Sequence, residues 1–428
     1  MTVAQALSRT FRRIYVRPPE PIPIEHRRLI WLVGAGTFFA NYDLNVYGFA
    51  MPQIQAGLAI PENEISTLNA IFRMGVVPAL GLTYLADLIG RRVLLLVTLA
   101  GAILATLATG FSQSVNEFLL AQTLARVCIC TEEMLCVVII AEELSERTRG
   151  WGIGALAALG AAGAGSAALV FAFVNLLPFG WRALYVIGAF PLAWLLWARR
   201  RLPETKRFTA SRARGHPLAP LVNLIWAYPG RLGLVVAATI PFTFGIANAV
   251  IFISKVLQTA HGWTPGNVAA LTITAGSIAV LGTIAAGTLS DRYGRRLVLS
   301  VMIVACAISF LLFYAWATGP WLVLFWITGI FAYLAIDALV GALSAELFPT
   351  SHRSVASGVR VLSGILAGSA ALLLEGMLYG YFQSHSAAIA LLILPTPLAL
   401  IPIWFLPEPA RKSLEDISAE RPIDSKTV

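Results

Sequence analysis

Seven ionisable side chains stand inside stretches of this chain that are otherwise apolar: Asp43, Arg73, Arg126, Glu132, Glu133, Asp337 and Arg360. A charge kept from water is untenable unless another charge or a ligand answers it, so each is a candidate for chemistry. A buried carboxylate beside a guanidinium can exchange that partner for a proton. A guanidinium that faces a cavity binds a carboxylate through two parallel hydrogen bonds. Counting along the apolar runs puts Asp43, Arg73 and Arg126 at one depth. Glu133 lies seven residues from Arg126, two helical turns, and shares its face, whereas Glu132 points about 100 degrees away. Asp43, Arg126, Glu133, Glu132 and Arg73 therefore form the candidate proton-handling set. Asp337 and Arg360 sit at comparable depths in the second half, where they pair with each other or line a cavity. They join Arg126 in the candidate ligand-binding set, to which polarity and position add Tyr42, Asn45, Tyr47, Gln122, Asn248 and Trp326. Lys255 and Glu375 fall near the ends of their runs, where side chains snorkel to water cheaply.

Composition dictates the elements that carry these residues. Of 428 residues, 58% are hydrophobic and 12% charged, against about 25% charged in soluble domains. Apolar runs of about 20 residues are membrane-crossing helices, because backbone groups in lipid must be satisfied within the segment. The runs fall at 29–52, 65–86, 93–112, 117–142, 151–176 and 181–199, then at 231–255, 267–288, 297–317, 321–346, 355–379 and 387–406. The expected fold is an all-α membrane protein of twelve helices in two pseudo-symmetric six-helix bundles. Its parts are a basic tail over 1–28, a bundle over 29–199, a linker over 200–230, a second bundle over 231–406 and a tail over 407–428.

The net charge of +9 is explained by where it lies. Most of the 31 Lys and Arg residues fall in the tails and in alternate connections, while the opposite connections hold Glu62, Glu64 and Glu117. This bias predicts cytoplasmic termini in a bacterial inner membrane, with basic surface meeting anionic lipid heads rather than nucleic acid. In the N-terminal tail, Val3, Leu7, Phe11 and Ile14 recur at helical spacing among arginines, as in a membrane-surface helix or a disordered tail. The four cysteines (Cys128, Cys130, Cys136, Cys306) lie inside apolar runs and read as reduced packing thiols, so no metal is expected. No nucleophile elbow, phosphate loop or dinucleotide fingerprint supports an enzyme, and no cofactor is expected. The fifth run is dense in small residues (Gly152, Gly154, Gly160, Gly163, Gly165, Ser166), which predicts close helix packing.

A repeat underlies this arrangement. GTLSDRYGRR at Gly287–Arg296 has a degenerate copy, TYLADLIGRR, at Thr83–Arg92. Asp87 and Asp291 lie 204 residues apart, and the same offset relates Glu142 to Glu346, Arg149 to Arg353 and Pro203-Glu204 to Pro407-Glu408. Such a register marks two homologous halves. Asp87, Arg91, Arg92, Glu142, Arg149, Glu204, Asp291, Arg295, Arg296, Glu346, Arg353 and Glu408 then occupy matched helix ends on the cytoplasmic side. Acids and bases placed so can pair in one state and part in another, as a gate.

These motifs resemble those of the major facilitator superfamily. GTLSDRYGRR is similar to its loop motif between spans eight and nine, and the first-half copy departs from that motif at Thr83 and Leu88. LPETKRF (Leu202–Phe208), PEPARKSLEDI (Pro407–Ile417), AELFPTSHR (Ala345–Arg353), AEELSERTRG (Ala141–Gly150) and NYDLNVYGFAMPQI (Asn41–Ile54) resemble signatures of its sugar porter, metabolite:proton symporter and organic-ion carrier branch. The resemblance implies alternating access, a gating role for the cytoplasmic charges and Asp43 as the proton-coupling carboxylate. It puts the branch's span-four Arg at Gln122, one turn from Arg126, and the branch's span-four acid at Glu132, against the helical geometry that favours Glu133. The expected function is proton-coupled symport of a small organic solute, with the arginines favouring a carboxylate. The alternatives are a proton-driven antiporter of drugs or organic cations, a sugar porter, and a non-transporting sensor with a transporter fold. Glu132 and Glu133 would suit a cation, but span five lacks the Gly-Pro motif of drug antiporters. Pro241–Phe252 lacks the glutamines of sugar porters, and the short tail and linker argue against a sensor. The expected partners are the solute, protons and membrane lipids, and the chain is read as a monomer.

Overall fold

The computed structural model describes residues 18, 20–200, 224–349 and 352–409. The expected N-terminal surface helix, the linker with Glu204, and the C-terminal tail from 410 lie outside the described residues, as does the side chain of Asp87.

The described chain is a succession of helices: α1 (Ile24–Leu58), α2 (Ile65–Met74), α3 (Val76–Ile89), α4 (Arg91–Phe111), α5 (Val115–Glu143), α6 (Glu146–Phe171), α7 (Trp181–Arg199), α8 (Pro229–Ile251), α9 (Ile253–Thr259), α10 (Pro265–Tyr293), α11 (Arg295–Ala315), α12 (Pro320–Leu347), α13 (Arg353–Phe382), α14 (His385–Ile393) and α15 (Leu400–Phe405). Among the described residues, ten stretches are long and apolar enough to cross a membrane. The other two crossings, α1 and α5, hold the polar run Asn41–Asn45 and the charges Arg126, Glu132 and Glu133. The second crossing is α2 with α3, the seventh α8 with α9, and the twelfth α14 with α15.

Local chemistry explains the interruptions. Pro78 has no N–H to give the Met74 carbonyl, and the helix breaks at Gly75 between α2 and α3. Pro52 likewise leaves the Gly48 carbonyl of α1 without its partner. Gly90 and Gly294 have φ of 107° and 105°, which only glycine adopts at low cost. These two glycines of the repeated motif end α3 and α10 and start α4 and α11 at the following arginine.

The chain packs as two compact units. One takes in Met1–Tyr47 and Gly75–Ala213, the other Gly48–Met74 and Arg214–Val428. The stretch Gly48–Met74, which the sequence reading assigns to the first bundle, therefore packs with the second. In the first unit, the small residues of α6 allow the close approach expected of them. A side chain at Gly163 would collide with the Phe38 carbonyl of α1, and one at Gly160 with Asn41. All four cysteines are free and buried.

Candidate functional site

The buried charges of the first unit sort into two arrangements. Glu132 is sealed: its carboxylate meets Arg199 at 2.7 Å, and the two side chains are 1% and 0% exposed. Arg199 also donates to the backbone carbonyls of Leu32 (3.0 Å) and Val33 (3.2 Å). Gly36 makes the room, since a Cβ there would strike both partners. Glu132 thus binds α5 to α7 and α1. Arg199, the last residue of the first bundle and of α7, is a core residue. Glu133 faces the other way, partly buried, and accepts from Asn41 Nδ2 at 2.9 Å. Asp43 is buried and accepts from Thr106 Oγ1 at 3.1 Å. Arg126 acts on both Glu133 and Asp43 through its charge, but forms no ion pair with either among the described residues.

The second unit contains a cavity of about 270 Å³. Arg73, Arg360, Asp337, Thr239, Thr243, Tyr333 and Ser344 are its polar lining, with apolar side chains around them. Arg360 Nη1 lies 3.8 Å from Asp337 Oδ1, so the expected pair both forms and lines the cavity. Arg73 comes from the end of α2 and rests on Gly368 of α13, where a Cβ would sit 2.6 Å from its Nε. The structure moves Arg73 from the company of Asp43 to that of Arg360. Phe242 and Tyr333 stack with centroids 6.2 Å apart and planes inclined by 22°. The site therefore offers two guanidinium groups, one carboxylate, threonine hydroxyls and a flat aromatic wall.

The remaining ligand candidates lie outside this cavity. Tyr42 donates to the Leu184 carbonyl at 2.9 Å, and its ring covers Gly188. Asn45 donates to the Asn41 carbonyl one turn back, and Tyr47 packs against Phe118. Gln122 is buried, and Asn248 joins α8 to the Ala371 carbonyl of α13 at 3.1 Å. Trp326 is enclosed by Phe310 and Phe313. None of these six lines the cavity.

The profile of the Major Facilitator Superfamily matches residues 33–284 and 235–427. The chain belongs to that superfamily. It is 24% identical over 402 residues to a Cupriavidus pinatubonensis protein named "Probable 4-methylmuconolactone transporter", covering 92% of this chain and 93% of that one. It is 27% identical over 223 residues to the niacin transporter NiaP of Acinetobacter baylyi, 49% of this chain and 48% of that one. The crystal structure of a D-xylose-proton symporter shares the fold, with a TM-score of 0.75 at 17% identity over 90% of this chain and 99% of that chain. This major facilitator is a multi-pass membrane protein that carries a small molecule, and not an enzyme.

The charge set at the repeated helix ends of this major facilitator is partly assembled. Arg91 pairs with Glu142 at 3.1 Å, and Arg92 donates to the Arg200 carbonyl at 2.6 Å. In the second half, Arg295 meets Asp291 and Glu346, each at 2.8 Å. Glu408 accepts the backbone N–H groups of Arg295 (2.8 Å) and Arg296 (3.0 Å), a carboxylate at the positive end of α11. Arg149 and Arg353 form no ion pair among the described residues. Lys255 and Glu375, read as snorkelling, are 1% and 0% exposed. They meet His385 and Glu62 in a cluster that the sequence reading misses. The signal available was four ionisable residues, each near the end of a run on the side away from the termini.

Proposed function

We propose that this transporter carries a small cyclic carboxylate by alternating access, coupled to protons through Asp43. The observation that carries the reading is the pairing of Arg73 and Arg360 in one cavity beneath the Phe242–Tyr333 wall. Guanidinium groups bind carboxylates bidentately, and each charge-assisted hydrogen bond contributes about 1.5–3 kcal/mol. At 3.8 Å, Asp337 holds Arg360 loosely, so an incoming carboxylate can displace it. A cavity of about 270 Å³ lies at the small end of ligand sites, about 300–1,000 Å³, and suits a solute of one ring. Niacin, in the name of one relative, is a pyridine carboxylate. Asp43 is the proton carrier in this reading because, among the described residues, its one hydrogen bond, from Thr106, is neutral and no cation pairs with it. Glu133 is the second acid of the pathway, and Arg126 is the cation whose partner changes with protonation.

The same reading keeps the twelve-helix chain in a bacterial inner membrane as a monomer with cytoplasmic termini. Its bundles run over 29–199 and 231–406, with Gly48–Met74 packed in the second unit, and the paired charges at the cytoplasmic helix ends act as the gate. The test is uptake of radiolabelled nicotinate into proteoliposomes under an inward proton gradient, beside xylose and an organic cation. Nicotinate accumulation that collapses with a protonophore supports the reading. Cation release against the gradient, or xylose uptake without nicotinate uptake, would overturn it.

A further inference from the structure

A buried ionisable cluster lies apart from the cavity, at the ends of crossings on the side opposite the chain termini. It joins Gln55 of α1, Glu62 of the turn Glu62–Glu64, Ser66 of α2, Lys255 of α9, Glu375 of α13 and His385, which opens α14. Lys255 Nζ is 2.7 Å from Glu62 Oε2 and also donates to Gln55 Oε1. His385 Nδ1 is 2.7 Å from Glu375 Oε1, and His385 Nε2 is 3.1 Å from Glu62 Oε2. The second oxygen of Glu375 accepts from Ser66 Oγ. Tyr379 stacks on the imidazole at 4.2 Å, and Phe252 packs against the ring at 4.9 Å. Tyr314, whose hydroxyl donates to the Ala249 carbonyl at 2.5 Å, is the other titratable group near Glu375. Among the described residues, no group of acids, histidines and cysteines is arranged to hold a metal ion.

The decisive point is a proton count. Both ring nitrogens of His385 face carboxylate oxygens. A neutral imidazole has one N–H and one bare lone pair, so one of these contacts would set a lone pair against an anion. Both are hydrogen bonds only when the cluster holds one further proton, on the ring or on the carboxyl that faces its bare nitrogen. With that proton, the charges of Lys255, Glu62, Glu375 and His385 sum to zero. Without it they sum to minus one in a site where Lys255, Glu375 and His385 are shielded from water, which is costly. Glu62 is 42% exposed, which gives the proton a path to solvent. The contacts also join distant parts of the sequence: Gln55, Glu62 and Ser66 belong to the stretch Gly48–Met74, the other partners to the second half.

We infer that Glu62, Glu375 and His385 form a proton-binding site separate from Asp43, and that its proton latches the stretch Glu62–Met74 onto α9, α13 and α14. Loss of the proton turns one histidine–carboxylate contact repulsive. The contact to Glu62 is the one that yields, because Glu375 is enclosed and tied to Ser66 while Glu62 can turn to water. The latch is therefore closed in acid and loosened as pH rises.

The experiment needs no transported solute. In the full chain, with the four native cysteines changed to Ala, spin labels are placed at Asn63→Cys and Tyr381→Cys. Their distance distribution is measured in proteoliposomes from pH 5 to pH 9. The expected result is one narrow population in acid and a second, longer one as pH rises. His385→Gln and Glu62→Gln should each abolish that shift, while Asp43→Asn should retain it. A distribution that ignores pH in the otherwise unaltered chain overturns the inference. So does a shift that survives His385→Gln or Glu62→Gln, or one that Asp43→Asn abolishes. Should one of the two latch variants fail to reconstitute, the other decides.

Discussion

Neighbouring glutamates on one helix should respond to the same substitution in opposite ways. Glu132 and Glu133 differ by one position and by their whole surroundings. Glu132→Gln removes the only negative charge that answers the buried Arg199 guanidinium among the described residues, leaving it neutral partners alone: the glutamine oxygen, two backbone carbonyls and the Cys136 thiol. Breaking a buried pair in this way costs about 3–5 kcal/mol. Glu133→Gln keeps an oxygen for the Asn41 amide, 2.9 Å away, and loses at most the difference between a charged and a neutral hydrogen bond, about 1.5 kcal/mol. At about 2–4 °C per kcal/mol, Glu132→Gln should lower the melting temperature by about 6–20 °C and Glu133→Gln by less than about 6 °C. Heating detergent-purified protein and following the monodisperse fraction by size exclusion measures both. Glu132→Gln combined with Arg199→Gln should melt above the sum of the single losses, because neither charge is then stranded. Equal melting of the two glutamate variants, or strict additivity in the double variant, would refute the assignment of Glu132 to structure.

Further tests address the cavity and the coupling residue. Arg360→Ala should raise the KM for nicotinate uptake about 10–150-fold, the equivalent of one lost charge-assisted contact, and Arg360→Lys should fall between, since a lysine cannot bind bidentately. Gly368→Ala should give the same defect as Arg73→Ala, because the added methyl occupies the seat of the Arg73 guanidinium; uptake kinetics on folded protein would show whether it does. Asp43→Asn should abolish accumulation driven by a proton gradient and preserve solute exchange between equal concentrations, and accumulation that continues would remove Asp43 from the coupling role.

The parts of this protein legible in its sequence were those set by one dimension. Hydropathy and length mark the crossings, Gly90 and Gly294 mark the tight turns, and the repeat marks the paired helix ends. Small residues at Gly160 and Gly163 announced close helix packing, though not that α1 is the partner. What the sequence could not show was which helix faces which. Arg199 stands at the head of a basic run, and nothing in its neighbours in sequence says that it turns back to Glu132, 67 positions away. Arg73 shares a depth with Asp43, but α2 packs on α13 and carries it to Arg360. Lys255, Glu375 and His385 sit where side chains ordinarily reach water, and only the packing of four segment ends shuts them in.

The buried charges form a series ordered by how completely fixed partners answer them. Arg199 and Glu132 are answered in full by each other and by backbone carbonyls, so neither can be released without stranding the other. In the Glu62–His385–Glu375 cluster the partners suffice only when one proton is present, which makes its closure conditional. Asp337 and Arg360 stand 3.8 Å apart beside open space, and Asp43 has one neutral hydrogen bond. A transporter must release and recapture its proton and its solute in every cycle, at low cost each time. Groups whose charge is already neutralised by rigid neighbours cannot do this, and groups held by one weak contact can. On the proposed reading, the transport chemistry belongs to Asp43, Arg360 and the cavity around Arg73, while the better-paired charges hold the helices that present them.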